Sequence, residues 1–345
     1  MTSVEVRGAT FSERERWHAF VTSGASPAAT FFHLWEWADA VEEAHGHAAH
    51  RFVAEVDGEI IGVLPLNDVR SILSGRSFIS GAFAVGGGVA ATSAAVADAL
   101  AASAIDTARD AGAHMIEMRS ETAAIAGWNA KTPTHETYRK AIVADEDARL
   151  QAIPRKRRAE VRKAIAMEAS GDVSVRFDGS VETFYRLYAR SLRSLGTPVF
   201  SRRFAETLAQ KFSDRMCIAL VEARGEAVAA LMSFYFRGAV MPYYIGASPQ
   251  ARAYRAFDLI YWRLMEQALS SGCEIFDFGR SKIGSPHAAY KKSWGFEPVP
   301  LAYQYCCIRG ERPVSADPAS AKFRAASAVW KKLPLPLTNA LGPLV

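Results

Sequence analysis

Cysteine is scarce in this chain and poorly placed for chemistry. Four occur among 345 residues, Cys217, Cys273, Cys306 and Cys307, and none forms a CxxC pair. Adjacent Cys306 and Cys307 would point to opposite faces of a strand. Neither a disulfide framework nor a zinc site is expected. The sequence also lacks an uninterrupted run of about 18 apolar residues, the length that marks a membrane-crossing helix. It opens with Met1-Thr2-Ser3-Val4-Glu5, polar and acidic where a secretory leader is basic then apolar. A cytoplasmic protein is expected, free or at the inner face of the membrane. No carboxylate or thiolate joins His45-Gly46-His47-Ala48-Ala49-His50 in an obvious ligand pattern, and Gly46 breaks the helical spacing, so no metal is expected there.

What is present is a half-hydrophobic chain long enough for two domains of about 150 residues. Its clearest feature is a repeat. Ala54-Glu55-Val56-Asp57-Gly58-Glu59-Ile60-Ile61-Gly62-Val63-Leu64-Pro65 returns as Val221-Glu222-Ala223-Arg224-Gly225-Glu226-Ala227-Val228-Ala229-Ala230-Leu231-Met232. Each copy has two apolar runs around a Gly-Glu turn, the pattern of a β-hairpin. An aromatic strand follows in both (78–85 and 240–245), then a helix (92–111 and 257–270) closed by Gly112 or Gly272. Short strands come next, 114–120 and 274–281. This order predicts two tandem α/β (α+β) domains, each a mixed central sheet flanked by helices.

The net charge of +5 leans towards anionic ligands. Pro154 to Lys163 packs six cations around Glu160. On a helix Arg155, Arg158 and Arg162 share one face, while Val161 and Ile165 share another. That face is either a solvated linker or a clamp for phosphate or carboxylate. A second basic cluster follows the strand at 274–281. Arg280, Lys282, Lys291 and Lys292 fall within thirteen residues, interleaved with Ser281, Tyr290 and Trp294. Surface charge is one reading; a pocket for an anionic substrate or an oxyanion is the other. Trp35 and Trp37, with His33, open a helix, and by themselves read as its buried face. Tyr243 and Tyr244 alternate on a strand, so that one is expected in the core and the other in a cleft.

The order of elements resembles the acyltransferase domain of the GNAT superfamily, and its duplication resembles the Fem-type aminoacyltransferases. The resemblance extends to the FemAB-like branch associated with bacterial exosortase and PEP-CTERM systems. It rests on Phe32-His33-Leu34-Trp35-Glu36-Trp37, on Arg155 to Lys163, and on Asp277-Phe278-Gly279-Arg280-Ser281-Lys282 followed by Ala289-Tyr290-Lys291-Lys292-Ser293-Trp294-Gly295-Phe296. It implies acyl transfer to an amine, with Lys291 in the catalytic role, Lys292 its ambiguous neighbour, Arg280 positioning a substrate, and Asp277 as base or as the residue orienting Lys291. Substrate contacts are expected from Tyr290, Ser281, Lys282, Lys292, Trp294, Tyr244, Trp35, Trp37 and the Arg155, Arg158, Arg162 face. Under this reading Lys291→Ala abolishes turnover and leaves the melting temperature nearly unchanged.

GNAT enzymes commonly seat the coenzyme A pyrophosphate on a glycine-rich turn at a helix start. Gln250-Ala251-Arg252-Ala253-Tyr254-Arg255-Ala256-Phe257-Asp258 lacks those glycines. Side chains there oppose close backbone approach to phosphate. The first repeat offers only Gly86-Gly87-Gly88. The expected function is a Fem-type transferase acting on a cell-envelope, peptidoglycan or exopolysaccharide precursor. Its expected partners are an anionic donor, aminoacyl-tRNA or acyl-CoA, and an amine-bearing glycan or peptide acceptor, with no resident cofactor and no DNA. The alternatives are an acyl-CoA-dependent N-acyltransferase and a non-catalytic RNA- or glycan-binding module. The expected domains are 1–150 on the acceptor side, 151–312 with the catalytic motif, and a tail, 313–345. Within the tail, 320–333 reads as an amphipathic basic helix that packs on the protein or rests on an anionic membrane.

Overall fold

The computed structural model describes residues 4–71, 75–120, 125–131, 133–301, 303–310 and 321–344. They form two compact units, the first running to Thr134 and resuming at Leu301, the second comprising His135–Pro300 and the C-terminal helices.

In the first unit β1 (Glu5–Gly8), α1 (Arg14–Ser23) and α2 (Trp35–His45) precede β2 (Ala49–Val56), β3 (Glu59–Ser71), β4 (Gly75–Ile79) and β5 (Ala90–Ala91). Then come α3 (Ala94–Asp110), β6 (Met115–Met118) and β7 (Asn129–Ala130). The sheet order is β1-β2-β3-β4-β6-β16-β7, with β5 beside β3 and β16 (Gln304–Cys307) contributed from far along the chain. Leu64, Leu66, Phe78 and Ile116 pack under Leu100 and Ala104 of α3 as its core.

The second unit begins with β8 (His135–Ala141), α4 (Glu146–Gln151), α5 (Arg155–Ala169), β9 (Ser174–Arg176), α6 (Val181–Leu195) and α7 (Arg202–Lys211). The repeat follows as β10 (Met216–Ala223), β11 (Glu226–Phe236), β12 (Ala239–Ala247), α8 (Ala256–Ser270) and β13 (Ile275–Asp277). β14 (Ser281–Lys282), α9 (Pro286–Ser293), β15 (Pro298–Pro300), α10 (Ala321–Trp330) and α11 (Leu335–Leu341) complete it. The order is β14-β8-β13-β12-β11-β10-β9, with β15 beside β8. Leu231, Val240, Leu259, Trp262 and Phe276 are in its core.

Both repeated hairpins form, and for the same reason. Asp57-Gly58 take φ of 51° and 81°, and Arg224-Gly225 take 55° and 79°, the positive-φ pair of a type I′ turn that matches strand twist. Each hairpin carries a register shift in the same place, between Ala54 and Glu55 and between Val221 and Glu222. The helices end at Gly112 (φ 73°) and Gly272 (φ 76°) as expected. One strand differs: the expected 78–85 stops at Ile79. A Cβ on Gly81 would lie 2.0 Å from the Gly86 carbonyl oxygen, so the chain turns back on itself there instead of extending.

The compact units divide at 134/135 and 300/301, where the sequence pattern suggests 150/151 and 312/313. The latter lies outside the described residues. β8 pairs with β13 through Ile275↔Ala141, Phe276↔Lys140 and Asp277↔Arg139, which moves the start of the second unit back to His135. β16 pairs instead with β6, Cys306 opposite Ile116. Hairpin pattern locates a repeat but carries no information on the distant partner of its outer strands.

Candidate active site

In the second unit β12 and β13 run parallel but pair only at Ala239↔Ile275 and Val240↔Phe276. Beyond that point β12 bulges. Met232 of β11 faces Tyr244 and Ser233 faces Pro242, leaving Tyr243 as the extra residue. Pro242 has no N–H to give a neighbouring strand, which suits a position where pairing stops. An opening therefore forms at the carboxyl ends of two parallel strands, the usual ligand position in such sheets.

The turn after β13 forms one side of this opening. Asp277 accepts a hydrogen bond from Arg139 Nε at 2.7 Å and from the Gly279 N–H at 2.8 Å. Gly279 has φ 62°. From α9, Lys291 Nζ donates to the carbonyls of Phe278 (2.6 Å), Gly279 (2.9 Å) and Arg280 (3.0 Å). Those bonds take all three ammonium protons. Burial lowers the Lys291 pKa to about 8, with Asp277 acting in the opposite sense and Arg280 in the same one. Lys291 is thus the internal tie of the turn that presents Arg280. Lys292 points elsewhere, to Glu136 Oε1 at 3.2 Å. Ser281 is buried and Lys282 exposed on β14, paired with Glu136 and His135 of β8.

Across the opening Tyr244 is buried against Phe200 (4.9 Å) and Tyr188 of α6 (5.5 Å). Burial drives its phenol well above the ordinary range, and the Arg280 charge works against that rise. α6 reaches this close to β12 because of Gly246, where a Cβ would stand 2.3 Å from the Tyr188 backbone.

A second feature lies where α5 meets the start of α8. Arg157 Nη1 donates to Asp258 Oδ1 at 2.7 Å and its Nε to Ser293 Oγ at 2.9 Å. Its guanidinium stands 4.4 Å from the Tyr290 ring centroid. Tyr290 donates its hydroxyl proton to the same Asp258 oxygen at 2.9 Å; burial and that carboxylate raise its pKa well above the ordinary value. Arg157, Asp258 and Tyr290, with Glu160, Arg252 and Arg255, line a pocket of about 350 Å³. Arg255, at φ 50°, is ion-paired with Glu160. Three arginines face two carboxylates here, and no glycine cradle is present.

The expected clamp face turns out differently. Arg155 and Arg162 are exposed, and Arg158 is committed to Gln151 and to the Ile153 carbonyl, joining α4 to α5. Arg157 is the residue that faces inward, on the same side as buried Val161 and Ala164. Its i, i+4, i+7 spacing with those two was a usable signal. Trp35, Trp37 and Trp294 are corrections too. They are 3%, 1% and 1% exposed, so none presents a face to a ligand. Trp35 carries Arg51 over its ring at 4.1 Å, and Trp37 donates to the Ala82 carbonyl at 2.9 Å. Trp294 packs among Tyr261, Phe278 and Tyr290. Among the described residues no cluster of His, Cys, Asp and Glu could hold a metal ion.

No curated protein matches the chain by sequence. Solved structures do match by fold. A structure described as FemX has a TM-score of 0.69 at 16% identity, covering 87% of this chain and 96% of that one. A tandem GNAT protein from the clavulanic acid biosynthesis pathway has a TM-score of 0.57 at 12% identity, over 90% and 100%. The C-terminal domain of a putative lysylphosphatidylglycerol synthetase from Agrobacterium fabrum has 0.55 at 14% identity, over 97% and 98%. Residues 155–292 match the family model described as an acetyltransferase (GNAT) domain. The chain thus has the tandem GNAT fold, and the stretch that matches the acetyltransferase (GNAT) domain model lies within its second unit.

Proposed function

We propose that the protein is a Fem-type acyl or aminoacyl transferase acting on an amine of a cell-envelope precursor, peptidoglycan or exopolysaccharide, on the cytoplasmic side. The observation that carries this reading is the opening between β12 and β13, with the bulge at Tyr243 on one side and the Arg280 turn on the other. An amine attacking an ester or thioester carbonyl builds negative charge on the carbonyl oxygen. Arg280 supplies the opposing charge. Tyr244, kept protonated by burial, is suited to donate a hydrogen bond at the same place. Lys291 and Asp277 act as positioning residues, because their polar atoms are spent on holding the turn. The arginine-lined pocket at α8 suits the phosphate of the donor, since guanidinium groups pair with phosphate in a bidentate manner. The exosortase-associated branch is supported by the sequence motifs.

A second reading, an acyl-CoA-dependent N-acyltransferase, is favoured by the match of residues 155–292 to the acetyltransferase domain. Titration with acetyl-CoA, a long-chain acyl-CoA and aminoacyl-tRNA under one buffer condition separates the two. Saturable binding of charged tRNA, lost on deacylation, supports the Fem-type reading. Saturable acyl-CoA binding replaces it with the second. Absence of turnover with every donor, together with full biological function of Lys291→Ala, would instead make the protein a binding module for RNA or glycan.

A further inference from the structure

α6 has two faces with different partners. Phe184, Leu187 and Tyr188 are buried, and Tyr188 packs on Tyr244 at the opening. On the outer side Arg186 and Arg190 are exposed and Arg193 is half-buried. The helix has a single acid, Glu182, in its first turn. Arg193 Nη2 donates to the Lys331 carbonyl at 3.4 Å, and a Cβ on Gly196 would stand 2.1 Å from Ser327 Oγ, so α10 lies directly against the end of α6. α11 packs on the same helix. From Pro318 through Val345 the sequence has no Asp or Glu but has Lys322, Arg324, Lys331 and Lys332. Around Lys331 and Lys332 four aliphatic side chains stand in solvent: Leu195 is 52% exposed, Val329 60%, Leu337 42% and Leu341 36%.

Cations without acids call for an anionic partner, and exposed aliphatic groups call for one with an apolar layer beneath its charge. RNA satisfies only the first requirement; an anionic lipid surface satisfies both. We propose that the outer face of α6 with α10 and α11 is a docking surface for an anionic phospholipid bilayer. None of Arg186, Arg190, Lys331 and Lys332 is engaged in an ion pair among the described residues, which leaves them for lipid headgroups. Because the inner face of α6 walls the opening, a lipid-linked acceptor would arrive beside Tyr244; that last step rests on the transferase reading, whereas docking itself does not.

The test is co-sedimentation of the full chain with vesicles of phosphatidylglycerol and phosphatidylcholine, and with phosphatidylcholine alone. The chain is expected to bind the anionic vesicles, weakening with salt, and to leave the neutral ones in solution. Replacing Lys331 and Lys332 together by Ala is expected to weaken binding roughly thirtyfold, at about 1 kcal/mol for each cation. Val329→Asp with Leu337→Asp is expected to abolish it while leaving the thermal unfolding profile unchanged, since both positions are exposed. Equal partition to the two vesicle types, or no binding to either, overturns the proposal. So does wild-type binding by the double Asp variant; displacement by tRNA would then assign the face to RNA. Vesicle binding by a preparation with no transferase activity would retain the docking surface and reject only the transferase reading.

Discussion

Lys291 stands out in the sequence, but the work its hydrogen bonds do in the fold does not. Its place in Tyr290-Lys291-Lys292 is legible in the sequence, but its three carbonyl partners are not, because they belong to a turn eleven to thirteen residues away. The expectation of an unchanged melting temperature for Lys291→Ala therefore gives way to another. Removal strands three carbonyls, and a loss of about 1–3 kcal/mol is expected, read from the denaturant midpoint, along with loss of turnover. Unaltered stability would mean that the ammonium does not hold the turn. Arg157 and Arg252 make a complementary pair. Arg252→Ala, at an exposed position in the pocket wall, is expected to raise the donor KM with kcat little changed, the mark of lost ground-state binding. Arg157→Ala also leaves Asp258 without its cation and should lower stability as well. Equal donor KM in wild type and Arg252→Ala would detach the pocket from the donor. His33 supplies a pH signature. Its Nδ1 accepts the Thr30 N–H at 3.0 Å and its Nε2 meets the Gly88 carbonyl at 3.1 Å, and burial holds its pKa at about 4. A depressed pKa means that its contribution is complete above the ordinary histidine value of 6.5 and is lost as pH falls towards 4. Each pH unit in that window should cost about 1.4 kcal/mol. His45, also held at about 4 by burial, adds to the slope, so His33→Gln is expected to flatten it in part. A slope identical to wild type in that variant would mean that His33 is not the buried neutral group described.

Elements whose formation depends on local chemistry were legible: hairpins from their turns, helices from their apolar period and closing glycines. Elements shaped by a distant contact were not. The loop after β4 illustrates this. Its carbonyls at Gly81 and Ala84 are taken by Arg119, that at Ala82 by Trp37, at Val85 by Tyr303 and at Gly88 by His33. Those donors come from well-separated parts of the sequence, so the apolar run 78–85 reads as strand until they are known. The aromatic motif around Trp35 and Trp37 reads as a buried helix face, or through the resemblance as a groove wall, but its anchoring of that loop through Trp37 and His33 is not visible in the sequence. α5 gives the same lesson at the candidate site: on the face with most arginines Arg155 and Arg162 are exposed and Arg158 is tied to α4, and the inward cation is the one spaced with Val161 and Ala164. For α6 and β12 the limiting contact is Gly246. Gly246→Ala places a methyl 2.3 Å from the Tyr188 backbone, and an overpacking cost of about 1–3 kcal/mol is expected. Gly58→Ala meets nothing within 4 Å and is strained only by its φ of 81°, so a loss of about 1 kcal/mol is expected. If chemical denaturation finds Gly58→Ala the more damaging of the two, α6 does not press on β12 as described, and the wall of the opening at Tyr188 loses its basis.

Over the whole chain, each sheet is completed by a strand from the end of the other repeat. β8 follows the first repeat in sequence but sits between β13 and β14; β16 follows the second repeat but sits between β6 and β7. Sheets lose ladder hydrogen bonds and a packed face when an internal strand is removed, and an unpaired edge then invites aggregation. β8 matters most for the candidate site, since Arg139 on it anchors Asp277 and Glu136 on it pairs with Lys292. A fragment beginning at residue 151, the boundary expected from the hairpin repeat, removes that strand, and the Asp277–Arg280 turn loses one of its supports. Two fragments ending at residue 300 therefore make a decisive pair. The one starting at residue 135 is expected to unfold cooperatively with heat and to elute as a discrete species. The one starting at residue 151 is expected to aggregate or to melt without a cooperative transition. Equal cooperativity in both would mean that β13 needs no partner on that side, and that the turn carrying Arg280 is held by Lys291 alone.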